Sequence, residues 1–232
     1  MEKEYFVLYT PEVMNKAYEL FSKDFSQTEI FEVLRGSDDI KKQICLLKLE
    51  KIYSTDEAKI LTSVLTGQHG PVREICSAKI NEFIKDEECR NFFDDGEITE
   101  IILNSLNDII PTVARNISEV INLFPQRVYL KSRLMDKILE VENCPSEEIP
   151  SEKHEITRTN FKLYWYLDAL CFMLEKENSS EILEEIIENA YNHSDYTIRE
   201  KISCILSKLD GFEKYKNILK NDKNHYVARN FK

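Results

Sequence analysis

Apolar and polar positions alternate with a helical period along most of the chain. Val113, Ile117, Val120, Ile121 and Phe124 fall at i, i+4, i+7, i+8 and i+11. Ile198, Ile202, Ile205, Leu206 and Leu209 repeat that spacing, and Val72, Cys76, Ile80, Phe83 and Ile84 come close to it. At 3.6 residues per turn each set lies on one face of a helix. Polar breaks at 36–38, 67–71, 94–96, 192–195 and 210–211 separate the segments, and Asp38 and Ser194 stand where N-caps belong. The pattern predicts helices over 11–22, 27–35, 38–53, 56–67, 71–85, 97–109, 111–123, 126–142, 157–176, 179–192, 195–209, 212–220 and from 224 onward. Residues 5–9 (Tyr-Phe-Val-Leu-Tyr) could extend, but no second strand is visible to pair with them, so a capping segment over 1–25 is expected. The fold class is all-α.

The helices share a sequence signature. Val-Ala-Arg-Asn occurs at 113–116 and again at 227–230, and related pairs are Ile40-Lys41, Val72-Arg73, Phe161-Lys162 and Ile198-Arg199. Each opens a helix after a loop or turn. The separations of these anchors are 32, 41, 48, 37 and 29 residues, with a mean of about 37. A period of this size with two helices per unit is the pattern of a helical-repeat architecture. Residues 195–199, Asp-Tyr-Thr-Ile-Arg, match the D-x-x-V-R opening of the second helix of a HEAT-type repeat, and Pro71-Val72-Arg73 matches it in part. Residues 25–232 thus resemble the HEAT-like, armadillo-type family. The resemblance implies one domain over 1–232, a right-handed α-solenoid of about six irregular helix pairs. It also implies a ladder in which the Asp and Arg of neighbouring repeats interact. The Lys41, Lys162 and Ala-Arg copies depart from the motif. The stretch 143–155, with Pro145 and Pro150 among acidic residues, is expected to be a loop lengthening the 48-residue repeat, since two prolines six apart do not fit one helix. Only five residues follow Val227, so a short capping helix is expected there.

Composition narrows the function. Five glycines and six prolines in 232 residues are too few for a turn-rich β-sandwich and leave no phosphate-cradling loop. The net charge of −11 opposes nonspecific attraction to nucleic acid or anionic lipid. The longest apolar-rich run, 163–174, falls short of the roughly 20 residues a membrane span needs and contains Asp168. Met1-Glu2-Lys3-Glu4 is not the basic opening of a secretory signal, and a cytoplasmic location is expected. Six separated cysteines form no C-x-x-C and read as reduced, small core hydrophobes. His69, His154, His193 and His225 form no metal-binding spacing, and three of them precede repeat anchors as loop or capping residues. No metal or cofactor is expected, and no catalytic motif is present.

One stretch carries unusual chemistry. Residues 161–174 hold the only Trp and five aromatic side chains (Phe161, Tyr164, Trp165, Tyr166 and Phe172). A helix apolar around most of its circumference is either packed on several sides or offers a surface to a partner. If the chain works by binding, the expected contacts are Tyr164, Trp165 and Asp168, joined by the anchor residues Arg73, Arg115 and Arg199. Trp165 shares a face with Phe161 and Phe172 and is the best core candidate of the set; Arg73 and Arg199 suit the ladder slightly better than a contact, and for Tyr164 and Asp168 the structural and contact roles are even. The leading expectation is a non-enzymatic scaffold that binds another protein, one with a basic surface, on the concave face of the solenoid. An inhibitor or immunity-type protein that neutralises a basic toxin or nuclease is the alternative. The repeats also resemble those of helical-repeat DNA glycosylases, which would use Tyr164 or Trp165 with Asp168, but the acidic charge opposes that reading.

Overall fold

Several helix starts in this chain are written by short polar side chains. The computed structural model describes residues 11–143, 153–174 and 180–231, and among them it contains fourteen α-helices and no strand. The first seven are α1 (Pro11–Ser22), α2 (Gln27–Arg35), α3 (Asp39–Lys48), α4 (Thr55–Ser63), α5 (Gly70–Lys85), α6 (Glu87–Arg90) and α7 (Gly96–Ser105). The others are α8 (Pro111–Ser118), α9 (Arg127–Glu142), α10 (Lys153–Met173), α11 (Glu181–Ala190), α12 (Tyr196–Lys208), α13 (Glu213–Lys220) and α14 (His225–Ala228). Ser26 forms a capping box with Glu29 at α2, and Ser54 and Ser180 accept the third backbone N–H of α4 and α11. Asp38 caps α3, as expected from the sequence. At α12 the cap is Asp195, one residue beyond the Ser194 expectation, because its Oδ1 accepts from the Thr197 N–H at 2.9 Å.

The differences from the predicted helices have local causes. The helix expected over 38–53 ends at Lys48, yet Leu49 and Ile52 are fully buried in extended chain. The apolar spacing runs on past the helix because the loop packs into the same core. Side chains satisfy its backbone: Gln27 donates to the Lys51 carbonyl at 3.0 Å, and the Tyr53 N–H donates to Glu57 at 2.6 Å. The helix expected over 111–123 stops at Ser118 and resumes as a 3-10 turn at Ile121–Leu123. The single turn α6, capped by Asp86, was not expected. Helix α10 takes in residues 153–155, which the expected loop over 143–155 included; Pro150 precedes the helix and does not interrupt it. The rest of that loop, the 5–9 segment, Cys144 and the His154 side chain lie outside the described residues.

The chain divides into two compact units, Met1–Ile102 and Leu103–Lys232. In the first, α2 packs on α3 and on α4, while α3 packs on α1 and on α5. Cys45, Leu46, Leu61, Cys76, Ile80 and Ile84 form its centre, all fully buried. In the second, α9 packs on α10 and α11, and α10 packs on α8 and α12, which in turn packs on α13 and α14. Val113, Ile117, Leu134, Leu167, Ile198 and Ile202 are fully buried there. In both units a helix therefore touches the helix two places further along the chain as well as its neighbour. No described helix is long and apolar enough to cross a membrane.

Two anchor arginines, Arg73 and Arg199, share a geometry with Arg90. Arg73 donates to the carbonyls of Gly67 and Gln68 at 2.8 Å each, six and five residues before it. Arg90 reaches Ile84 in the same way at 2.8 Å, and Arg199 reaches His193 at 2.7 Å and Ser194 at 3.2 Å. Each guanidinium turns back onto carbonyls at or just beyond the end of the preceding helix, where backbone acceptors are unmatched and positive charge is favoured. Arg199 also forks onto Asp222, at 2.7 and 3.1 Å, ahead of α14. Asp195 meanwhile accepts from Asn160 of α10 at 3.2 Å. The 195–199 segment thus ties itself to the elements on either side. The Arg199 guanidinium holds the Asp222 carboxyl below its usual range. That contribution to stability is present above the ordinary carboxylate pKa of about 4 and is lost as pH falls further. Arg199→Ala is expected to cost about 1.5–3 kcal/mol at pH 7 and to flatten the acid limb below pH ~4, both read from urea titrations.

Candidate functional site

Helices α10 and α12 present a shared row of part-exposed polar side chains. Pairs along it advance together: Asn160 with Asp195, Asp168 with Lys201, and Cys171 with Lys208. The two helices therefore run parallel. On α10 the row is Tyr164, Asp168 and Cys171, at helical steps of four and three; on α12 it is Lys201, Cys204 and Lys208, at steps of three and four.

Asp168 is the hub. One carboxylate oxygen accepts from Lys201 Nζ at 2.7 Å and the other from Ser118 Oγ at 2.8 Å, so Asp168 braces α8, α10 and α12. Both members of the ion pair are about 15% exposed. Burial opposes the charge on Lys201, but the Asp168 carboxylate outweighs it and holds the lysine well above its usual range. The same ammonium lies 4.6 Å from the centroid of the Tyr164 ring, in cation–π geometry. Further along, Lys208 donates to the Cys171 carbonyl.

The residues expected from sequence fall into different places. Tyr164 stands on this row, half-buried. Asp168 stands beside it, with both oxygens occupied. Trp165 is buried, edge-on to Tyr164 at 5.1 Å and to Phe161 at 6.2 Å, so it belongs to the packing beneath the row. Arg73 is buried in the first unit as a helix clamp, and Arg199 is a clamp and ion pair at the start of α12. These placements remove Trp165 and Arg73 from any exposed surface. Arg115 is exposed on α8. Lys201 and Ser118 are not singled out by the sequence, and Cys171 reads there only as a small core hydrophobe. Superposing the anchors Phe161 and Ile198 would have placed Tyr164 opposite Lys201 and Cys171 opposite Lys208, because each pair sits at the same offset from its anchor.

Helix α11 has a different surface. Glu181, Glu184, Glu185 and Glu188 are exposed along it. Beside them the Glu142 side chain of α9 is half-buried, with a buried Oε1 that has no hydrogen-bond partner and Oε2 accepting from Asn189 at 3.3 Å. Burial lifts Glu142 to about 7, with Asn189 opposing and Glu185 adding to the rise. A carboxyl raised in the folded state makes stability fall as pH climbs from its unfolded value through the folded one. Glu142→Gln is expected to stabilise the protein by about 1–2 kcal/mol at pH 8 and to have little effect at pH 5, as measured by thermal unfolding at the two pH values.

Other constellations do not converge. Among the described residues no three His, Cys, Asp or Glu side chains are placed to hold a metal ion. His193 accepts the Asp195 N–H at 3.0 Å, and the His225 ring lies against Tyr226. In the first unit an open depression of about 580 Å³ is lined by Asp24, Phe25, Gln27, Leu47, Lys51 and Tyr53, among others, but Gln27 is already engaged by Lys51 and Glu57. Comparison of the chain with protein-family models, curated proteins and solved structures finds no match.

Proposed function

We propose that the chain is a non-enzymatic binding module built from HEAT-like helix pairs stacked as in an α-solenoid, and that a partner protein docks on the α10–α12 row. The observation that carries the reading is the packing of alternate helices, α8 on α10, α10 on α12 and α12 on α14, in the second unit. Stacking of that kind lines up equivalent helices and displays one side chain row from each. The first unit supports the same arrangement through α2 on α4 and α3 on α5. Tyr164, with the Lys201 ammonium against its ring, is the best anchor on the row, since tyrosine brings large contact area at low entropy cost. The net charge of −11 favours a basic partner and a salt-sensitive association rate.

A second reading rests on α11. Its four exposed glutamates form the acidic surface that an immunity or inhibitor protein would turn toward a basic toxin or nuclease. A DNA glycosylase-like role has less support, because Asp168 is saturated by Lys201 and Ser118 and Trp165 is buried. Affinity capture separates the first two readings. Tyr164→Ala should lose the captured partner at an unchanged melting temperature, while the charge-reversed Glu184→Lys/Glu185→Lys chain keeps it. The opposite pattern would transfer the function to α11.

A further inference from the structure

The charge of this chain is unevenly spread. Six basic side chains and two acidic ones follow Gly211, a local excess of four positive charges in a chain whose net charge is −11. Both of those acids are engaged, Glu213 with Lys216 and Asp222 with Arg199. Lys220 at the end of α13 and Lys223 in the turn after it are exposed. The Arg199–Asp222 pair fixes that turn beside the first turns of α12, where Tyr196 stands. Tyr226 of α14 stacks on Tyr196 at 6.5 Å between centroids, with ring planes 28° apart. The His225 ring lies 3.9 Å from that of Tyr226, and the Arg229 guanidinium lies 4.8 Å from its centre. Tyr196 and Tyr226 are each 42% exposed. The core does not need them, because Val227 and Ala228 supply the buried side of α14. The stack is held from beneath: Arg229 pairs with Glu200 at 2.9 Å and Asn230 donates to Ser203 at 2.6 Å, which pins α14 to α12.

We propose that this face binds single-stranded nucleic acid, with bases stacking on Tyr196 and Tyr226 and phosphates taken by Lys220 and Lys223. Exposed aromatic rings accept the π-face of any base, and cations beside them accept the backbone. A duplex keeps its bases stacked on one another, so a ring platform of this kind suits an unpaired strand. An acidic peptide would satisfy the two lysines but leave the tyrosine stack without a role. The net charge of −11 acts on a polyanion at long range, whereas at physiological salt a charge is screened beyond about 8 Å. Close contact is therefore governed by the local excess of positive charge. The acids nearest the rings are occupied, Glu200 by Arg229 and Asp222 by Arg199. The site does not depend on the α10–α12 row: Tyr196 faces α14, whereas Lys201 faces α10.

The test is fluorescence anisotropy of the full chain with labelled oligothymidine and oligouridine, each about ten nucleotides long. At about 50 mM salt a Kd of roughly 1–100 μM is expected. With two phosphates neutralised, the logarithm of the association constant should fall against log salt with a slope of about −1.4. Binding of either strand supports the proposal, and the tighter of the two names the sugar preferred. Tyr196→Ala and Tyr226→Ala should each weaken binding about tenfold at an unchanged melting temperature, while Tyr226→Phe, which keeps the ring, should bind like the wild type. Lys220→Glu/Lys223→Glu should abolish the salt slope. Absence of binding by both strands at about 100 μM protein would overturn the proposal. So would binding that Tyr226→Ala leaves unchanged and that polyglutamate displaces as readily as unlabelled oligonucleotide, which would assign the face to an acidic protein. The wild-type titrations and the polyglutamate competition decide the matter even if an alanine variant fails to fold.

Discussion

Ile202→Ala is expected to lower stability by about 2–5 kcal/mol, visible as a large fall in the urea midpoint. Ile202 is fully buried near the middle of α12, the helix that packs on α10, α11, α13 and α14. Truncation removes three methylene-sized groups from water-free surroundings and leaves a cavity that four neighbouring helices cannot all collapse to fill. The magnitude within that range reports how far α12 can shift. Ser207, exposed on the same helix, is the control: Ser207→Ala should stay within about 0.5 kcal/mol of the wild type. Equal small effects at both positions would show that the periodic face of α12 is not a core.

Asp168→Ala is expected to cost about 3 kcal/mol. The change strands the Lys201 ammonium, about 15% exposed, without its carboxylate and takes from Ser118 its side-chain acceptor on α10. A lone buried charge is far more costly than a missing pair, so Lys201→Met added to Asp168→Ala should recover much of the loss. The double-mutant cycle is read from urea unfolding at pH 7. A stability change near zero for Asp168→Ala would mean that the ion pair is screened by water. Asp168 would then be free to serve the docking role that the sequence first suggests for it.

Helices were legible because burial in this chain follows the helical period closely. Ile117, Ile202 and Val72, chosen from periodicity alone, are all buried. The period misled where apolar residues pack from extended chain, as at Leu49 and Ile52 after α3, and α6 escaped because one helical turn has no period to detect. The site was legible in half. Tyr164 and Asp168 stand out in an aromatic-rich helix, but their partner Lys201 lies 33 residues beyond Asp168 in an ordinary amphipathic stretch. Its role depends on two helices running parallel in register, which is a tertiary fact. The sequence offers Arg73, Arg115 and Arg199 as contacts because each opens a second helix, and such openings line up along one edge of a solenoid. The hydrogen bonds of Arg73 and Arg199 run backward by five and six residues, to carbonyls that sequence spacing alone does not single out.

The central claim is that a partner protein docks on the α10–α12 row. Site-specific photo-crosslinking tests it most directly, with a photoreactive phenylalanine analogue placed at position 164 in one chain and at position 184 in another. Each chain is irradiated with the protein it captures. A crosslink to that protein from position 164, and none from position 184, is the predicted result. A crosslink from position 184 alone would contradict the account and assign the interaction to the acidic surface of α11.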